Sequence, residues 1–400
     1  MRRSRLKIGG FIALSALCVT AATSYVVYAT RRAGPAAPGI AIRPPVRPAQ
    51  RALEAPTESE APRTPSPAEY GPGPPGRPAR QDAPASERPA SVRTPAVPRA
   101  TTSVSPASGR ETGRLVFRST ALGSTYGLLG VVPLAALDGA PTITTLSCDR
   151  VHVAVGAGVC LTANRGVFTT YSAVLFDADF RPRHTLRLSG VPSRVRVSPD
   201  GRVAAITVFV SGHSYAAATF STLTTVLELK SGDLLADDLE KFTILRDGRP
   251  IREVDFNLWG VTFARDSRRF YATLRTGGKT FLLEGDLPAR QARILRENVE
   301  CPSLSPDNTR LAFKKREGGG LRPVTWRLSV LELRTLEDRP LAETRSVDDQ
   351  VEWLDDRHVL YSLPETIEAT AATDTWVVPA DGSGQPRLFM PKAYSPVVVH

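Results

Sequence analysis

From about residue 111 onward, short apolar runs alternate with tight polar turns, and the runs have the length and period-two alternation of β-strands. One unit recurs four times, in Val195–Ile206, Gly260–Tyr271, Cys301–Phe313 and Val351–Tyr361. An apolar strand ends in Ser-Pro-Asp or a relative of it, a polar turn follows, and a second apolar strand begins. The turn aspartates Asp200, Asp266, Asp307 and Asp355 lie about 40–65 residues apart, inside or just beyond the spacing of β-propeller blades. Pro presets the backbone for such a turn, Asp accepts from nearby backbone N–H groups, and Gly201 or Asn308 tolerates a positive φ. These aspartates are therefore expected to form turns rather than to do chemistry.

A second hairpin, placed further out in each blade, recurs six times, starting at Val131, Val174, Val226, Phe281, Leu328 and Trp376. Five of these follow an inner hairpin that begins near Arg150, Arg194, Trp259, Cys301 or Asp349. The first has only Leu115–Ser119 before it, and the chain closes with an orphan apolar strand, Pro396–His400. Joined, the two supply the missing blade and remove the free edges that an open array would leave. The pattern thus predicts an all-β fold, a six-bladed β-propeller over residues 111–400 whose C-terminal strand closes the first blade. No long amphipathic helix competes; Ala236–Lys241 has room for one short turn.

Ahead of this lie two segments of other character. Arg2, Arg3, Arg5 and Lys7 precede an uncharged run from Ile8 to Thr30, and Arg31 and Arg32 close it. At ~1.5 Å per residue the run is roughly 34 Å long, enough for a ~30 Å hydrocarbon core. Residues 1–32 are expected to be a basic tail and a transmembrane helix, with membrane contact through residues 8–30. The alternative is a cleaved signal, for which Val27-Tyr28-Ala29 offers small-residue spacing. Residues 33–110 hold eighteen of the 34 prolines and too few branched or aromatic residues for a core, so a disordered linker is expected there. Bases flank the run on both sides, but a short basic tail resists translocation, so the C-terminal domain is expected outside the cytoplasm.

Charge changes this picture little. The formal net charge is +11, but residues 111–400 carry 35 basic and 34 acidic side chains. The excess belongs to the first two segments, where it is spread among prolines, so no nucleic-acid partner is implied. Of four cysteines, Cys148 and Cys160 flank a hairpin expected to turn at Gly156–Gly158. A bridge between them would need an oxidising compartment, and a register with Cys160 near Ala154 disfavours it. Cys301 is expected to pack as a small apolar residue.

The Ser-Pro-Asp-Gly turn followed by Val-Ala-Ala-Ile at 203–206, and Ser-Pro-Asp-Asn followed by Arg-Leu-Ala-Phe at 310–313, resemble the repeats of TolB-like β-propellers. The stretch from Phe242 to Asp356 resembles actinobacterial exported proteins of that kind. The resemblance covers about residues 111–400. It implies a six-bladed propeller acting as an extracytoplasmic scaffold for envelope proteins, and it carries over no catalytic residue. TolB itself has an α/β domain ahead of its propeller, where this chain has an apolar run and a linker.

Candidate ligand contacts follow from placing innermost strands around the axis. His152, Arg196, Trp259, Ser303 and Glu352 are expected to line the channel, with Arg194 as an alternative to Arg196. Trp259, with Trp326, Trp353 and Trp376, also has a packing role open to it. No pair among the five histidines has metal-ligand spacing, and neither metal nor cofactor is expected. Gly212–Ala216 resembles a hydrolase elbow around Ser214 but lacks its last glycine, and Gly277–Thr280 resembles a phosphate loop without its leading one. The function expected is a non-enzymatic, membrane-anchored, monomeric propeller that binds an envelope protein, a peptide or a glycan through one face. A hydrolase or lyase with its site at the channel mouth is the alternative.

Overall fold

The computed structural model describes residues 113–212, 220–319, 322–365 and 372–400. The anchor expected at 8–30, the linker at 33–110 and Ser214 lie outside the described residues. Among those described, no helix is long and apolar enough to cross a membrane.

The strands form six sheets, five of four strands and one of six. The innermost strands are Ala393–Val399, Arg150–Ala154, Val191–Val197, Asn257–Phe263, Glu300–Leu304 and Glu352–Asp355. Each touches the next, and the last touches the first, so the sheets close into a ring. In the first blade Ala393–Val399 pairs antiparallel with Arg114–Ser119, setting Leu115 opposite Val398 and Val116 opposite Val397. The blade expected from two chain ends is therefore present.

The core is divided among the seams between blades. Val116, Leu129, Val151 and Phe176 fill the seam between the first and second blades. Leu115, Val132, Leu360, Val377 and Ala393 fill the one between the sixth and first. Alternation explains this: each twisted sheet has apolar side chains on both faces, and only a neighbouring blade covers them.

The turns behave as their composition dictates. Asp200 Oδ1 accepts from Ser198 Oγ at 2.6 Å and from the Arg202 N–H at 3.0 Å. Asp307 repeats this with Ser305 and Thr309. Burial opposes its ionisation, but those hydrogen bonds and Arg310 prevail and push the carboxyl down to about 2. Gly201 and Asn308 have φ of 70° and 62°. Gly277 and Gly278 make an ordinary hairpin turn at positive φ. Leu239–Lys241 forms a short 3-10 turn capped by Asp238.

Two features depart from expectation. Thr243–Arg246 and Arg249–Ile251 add a hairpin to the outer edge of the fourth blade, with Thr243–Leu245 parallel to Gln291–Arg293. Its two-residue turn, Asp247-Gly248, has φ of 51° and 75°. Asp-Gly between short apolar runs is a strong hairpin signal. Cys148 and Cys160 are bridged, with a Cα–Cα distance of 5.3 Å. The hairpin turns through Val155 and Gly156 rather than Gly156–Gly158, so Cys160 stands opposite Val151 rather than near Ala154. Cys148 lies in the link from the first blade, and the bridge ties that blade to the second.

The bridge closes a separation of 12 residues. Constraint of so short a loop in the unfolded chain contributes about 2–3 kcal/mol. Cys160→Ser is expected to lower the melting temperature by about 5 °C in a protein of this size. Dithiothreitol should produce a similar drop in the parent chain and none in the variant, as scanning calorimetry will report.

Candidate functional site

At the end of the ring that carries the Ser-Pro-Asp turns, the axial channel opens into a cavity of about 280 Å3. Val153, Phe263, Val398 and Val399 give it apolar wall, and Arg265, Asn308 and Ser305 lie at its rim. Four of the five side chains expected at the channel line it: His152, Arg196, Ser303 and Glu352. They come from the second, third, fifth and sixth blades, so no single blade builds the cluster.

Arg196 is its centre. Nη1 donates to Glu352 Oε2, and Nη2 donates to the Val351 carbonyl at 2.9 Å and to Ser303 Oγ at 3.3 Å. The Val197 N–H donates to His152 Nδ1 at 3.1 Å. The neutral ring therefore carries its proton on Nε2, which faces Glu352 Oε2 at 3.6 Å. Nε2 and Arg196 Nη1, 2.9 Å apart, are then two donors on the side of one carboxylate oxygen, which accepts from Nη1. Burial, then the Arg196 charge, lower the His152 pKa below its ordinary value. Burial pushes Glu352 up, but Arg196 and then His152 prevail, and its carboxyl is held below the usual range. At neutral pH the cluster is a neutral imidazole, a carboxylate and a guanidinium.

Trp259 does not join them. It is 1% exposed and packs with Phe209, Phe220, Cys301 and Trp326, its ring edge-on to Phe220 at 5.3 Å. The cause is a bulge between Trp259 and Thr262, with Gly260 at φ 65°. A bulge resets the alternation, so counting residues in twos misplaces side chains across it. Thr262 lines the cavity instead and accepts from the Leu304 N–H at 3.1 Å. A Cβ at Gly260 would stand 2.7 Å from Cys301 Cα, so glycine is required there by close approach as well as by φ.

The opposite end of the channel carries a second charged group. Arg150 pairs with Asp349 at 2.7 Å. Lys314, fully buried, pairs with Asp348 and lies 3.7 Å from Glu300, with its ammonium 4.6 Å over the Trp326 ring. Arg194 donates to the Asp348 carbonyl at 3.2 Å and belongs to this end. Lys314 and Asp348 carry no motif; only the pairing of distant strands brings them together.

Glu240, pushed up to about 7 by burial and by the neighbouring Asp238, sits on the 3-10 turn after the third blade and does not line the funnel. No group of three or more His, Cys, Asp or Glu side chains among the described residues is placed to hold a metal ion.

No family model and no curated protein matches this chain. Among solved structures, TolB from Acinetobacter baumannii is 16% identical with a TM-score of 0.51, over 73% of this chain and 68% of that one. A TolB homologue from Agrobacterium tumefaciens is 10% identical with a TM-score of 0.43, over 69% and 87%. A puromycin-hydrolysing peptidase from Mycobacterium tuberculosis is 15% identical with a TM-score of 0.44, over 70% and 45%. At 16% identity the likeness to the Acinetobacter protein speaks to the fold alone, a β-propeller.

Proposed function

We propose that this chain is a non-enzymatic binding module of the cell envelope, held outside the membrane by residues 8–30 and spaced from it by residues 33–110. The partner, a protein or peptide segment, enters the axial funnel on the face of the Ser-Pro-Asp turns. The observation that carries this reading is that the funnel's titratable groups engage one another. Glu352 is engaged by Arg196, and His152 is held by the Val197 N–H at Nδ1 with Nε2 facing Glu352. Ser303 Oγ receives a hydrogen bond from Arg196 and touches no base. A general acid or base needs a proton to exchange near neutral pH, and a serine nucleophile needs a base in reach. This cluster provides structure and polarity instead. The Cys148–Cys160 bridge is consistent with an oxidising compartment.

The test is proximity labelling in intact cells with the full chain, alongside Val155→Trp. Val155 is 67% exposed and lines the funnel, so an indole there blocks the mouth without touching the core. Loss of the labelled partners in Val155→Trp, with the melting temperature unchanged, is the expected result. Turnover of a peptide, ester or polyuronide substrate that disappears in His152→Ala would overturn the non-enzymatic reading.

A further inference from the structure

A larger cavity, of about 520 Å3, opens where the sixth blade meets the first. It shares no lining residue with the funnel. That volume is in the range of small-molecule sites. Ser362 is the informative residue in its wall. Its neighbours Tyr361 and Leu363 pack into the seam with the fifth blade, so alternation turns Ser362 the other way, toward the first blade. Leu360, on that same side, packs against the first blade's core. Ser362 is 6% exposed, lines the cavity, and its Oγ has no hydrogen-bond partner. A buried hydroxyl without a partner is rare and calls for one.

The rest of the wall indicates the chemistry of that partner. Tyr126 is 41% exposed, with the Arg118 guanidinium 4.7 Å over its ring. Arg118 Nε donates to the Cys148 carbonyl at 2.8 Å. Three aspartates reach the wall, but each has a cation: Asp149 has Arg165 at 3.2 Å, Asp349 has Arg150 at 2.7 Å, and Asp348 has Lys314. With each of its three carboxylates matched, the cavity has no reason to prefer a cation. Carboxylate oxygens, an unpartnered hydroxyl and a half-exposed tyrosine ring suit a ligand with many hydroxyls and apolar C–H faces.

We propose that this seam is a carbohydrate site for a neutral oligosaccharide, stacked on Tyr126 and hydrogen-bonded to Ser362 Oγ. The site is independent of the funnel reading, and either stands if the other falls. The full chain in detergent is titrated calorimetrically with maltohexaose, cellohexaose, mannohexaose and chitohexaose, and with spermidine as a cationic probe. At least one hexasaccharide is expected to bind. Tyr126→Ala and Ser362→Val should each weaken it at least tenfold with the melting temperature preserved, and Val155→Trp should leave it unchanged. Binding of no hexasaccharide, of spermidine alone, or of a sugar indifferent to both seam substitutions overturns the proposal.

Discussion

A chain ending at Ser395 is expected to lose most of its folding stability. The deleted residues include Val397 and Val399, both buried, and the pairings of Val397, Val398 and Val399 with Val116, Leu115 and Arg114. Burying each valine contributes about 1.5–3 kcal/mol. With the ladder hydrogen bonds, at about 1 kcal/mol each, the loss is about 5 kcal/mol or more, comparable to the whole stability of an ordinary domain. The truncation also exposes the edge of Arg114–Ser119, which will invite association. Chemical denaturation of the full and shortened chains decides the matter. An unchanged midpoint would mean that the ring does not depend on its last strand.

The second large effect is expected at Glu352. Its removal leaves the Arg196 guanidinium buried against a neutral imidazole. Breaking one side of such a pair typically costs about 3–5 kcal/mol, whereas replacing both partners costs far less. Glu352→Gln should therefore be much less stable than the parent, and Arg196→Gln in the same chain should recover part of the loss. A double-mutant cycle measures the coupling.

The same cluster sets a pH dependence whose sign follows from the two shifts. His152 and Glu352 both have folded-state pKa values below their ordinary ones. For each, the unfolded chain takes up protons first as pH falls, so stability rises with pH. His152 begins to destabilise the fold below about 6.5, the ordinary imidazole value, and Glu352 below about 4.3. Each contribution is lost completely as pH passes through the folded value. Urea titrations at pH 7, 5.5 and 3 should show stability falling in two stages. His152→Gln should remove the first stage, and Glu352→Gln should narrow its gap to the parent at the lowest pH. A first stage that survives in His152→Gln would assign it to another group.

The legible parts of the molecule were those encoded locally. Ser198–Gly201 and Ser305–Asn308 announce their turns through residue types that act on their own backbone, and the orphan strand at 396–400 announces a partner because the first blade lacks one. Four of the five channel residues were legible because innermost strands converge on the axis wherever the blades are correctly delimited. Trp259 was lost to a bulge whose signal, Gly260 between apolar residues, is shared by many straight strands. The bridge between Cys148 and Cys160 was misjudged by a shift in one turn. The Asp247-Gly248 hairpin was signalled locally and overlooked.

Sequence by itself determined the number of blades, their order and the closure of the ring, since period-two alternation and turn chemistry are properties of neighbouring residues. Tertiary structure decided which charges meet. Arg196 reaches His152 across 44 positions and Glu352 across 156, and the seam cavity sets Ser362 and Tyr126 on one wall system. No local pattern encodes those meetings, because a one-residue change in register turns a side chain from one face of a sheet to the other.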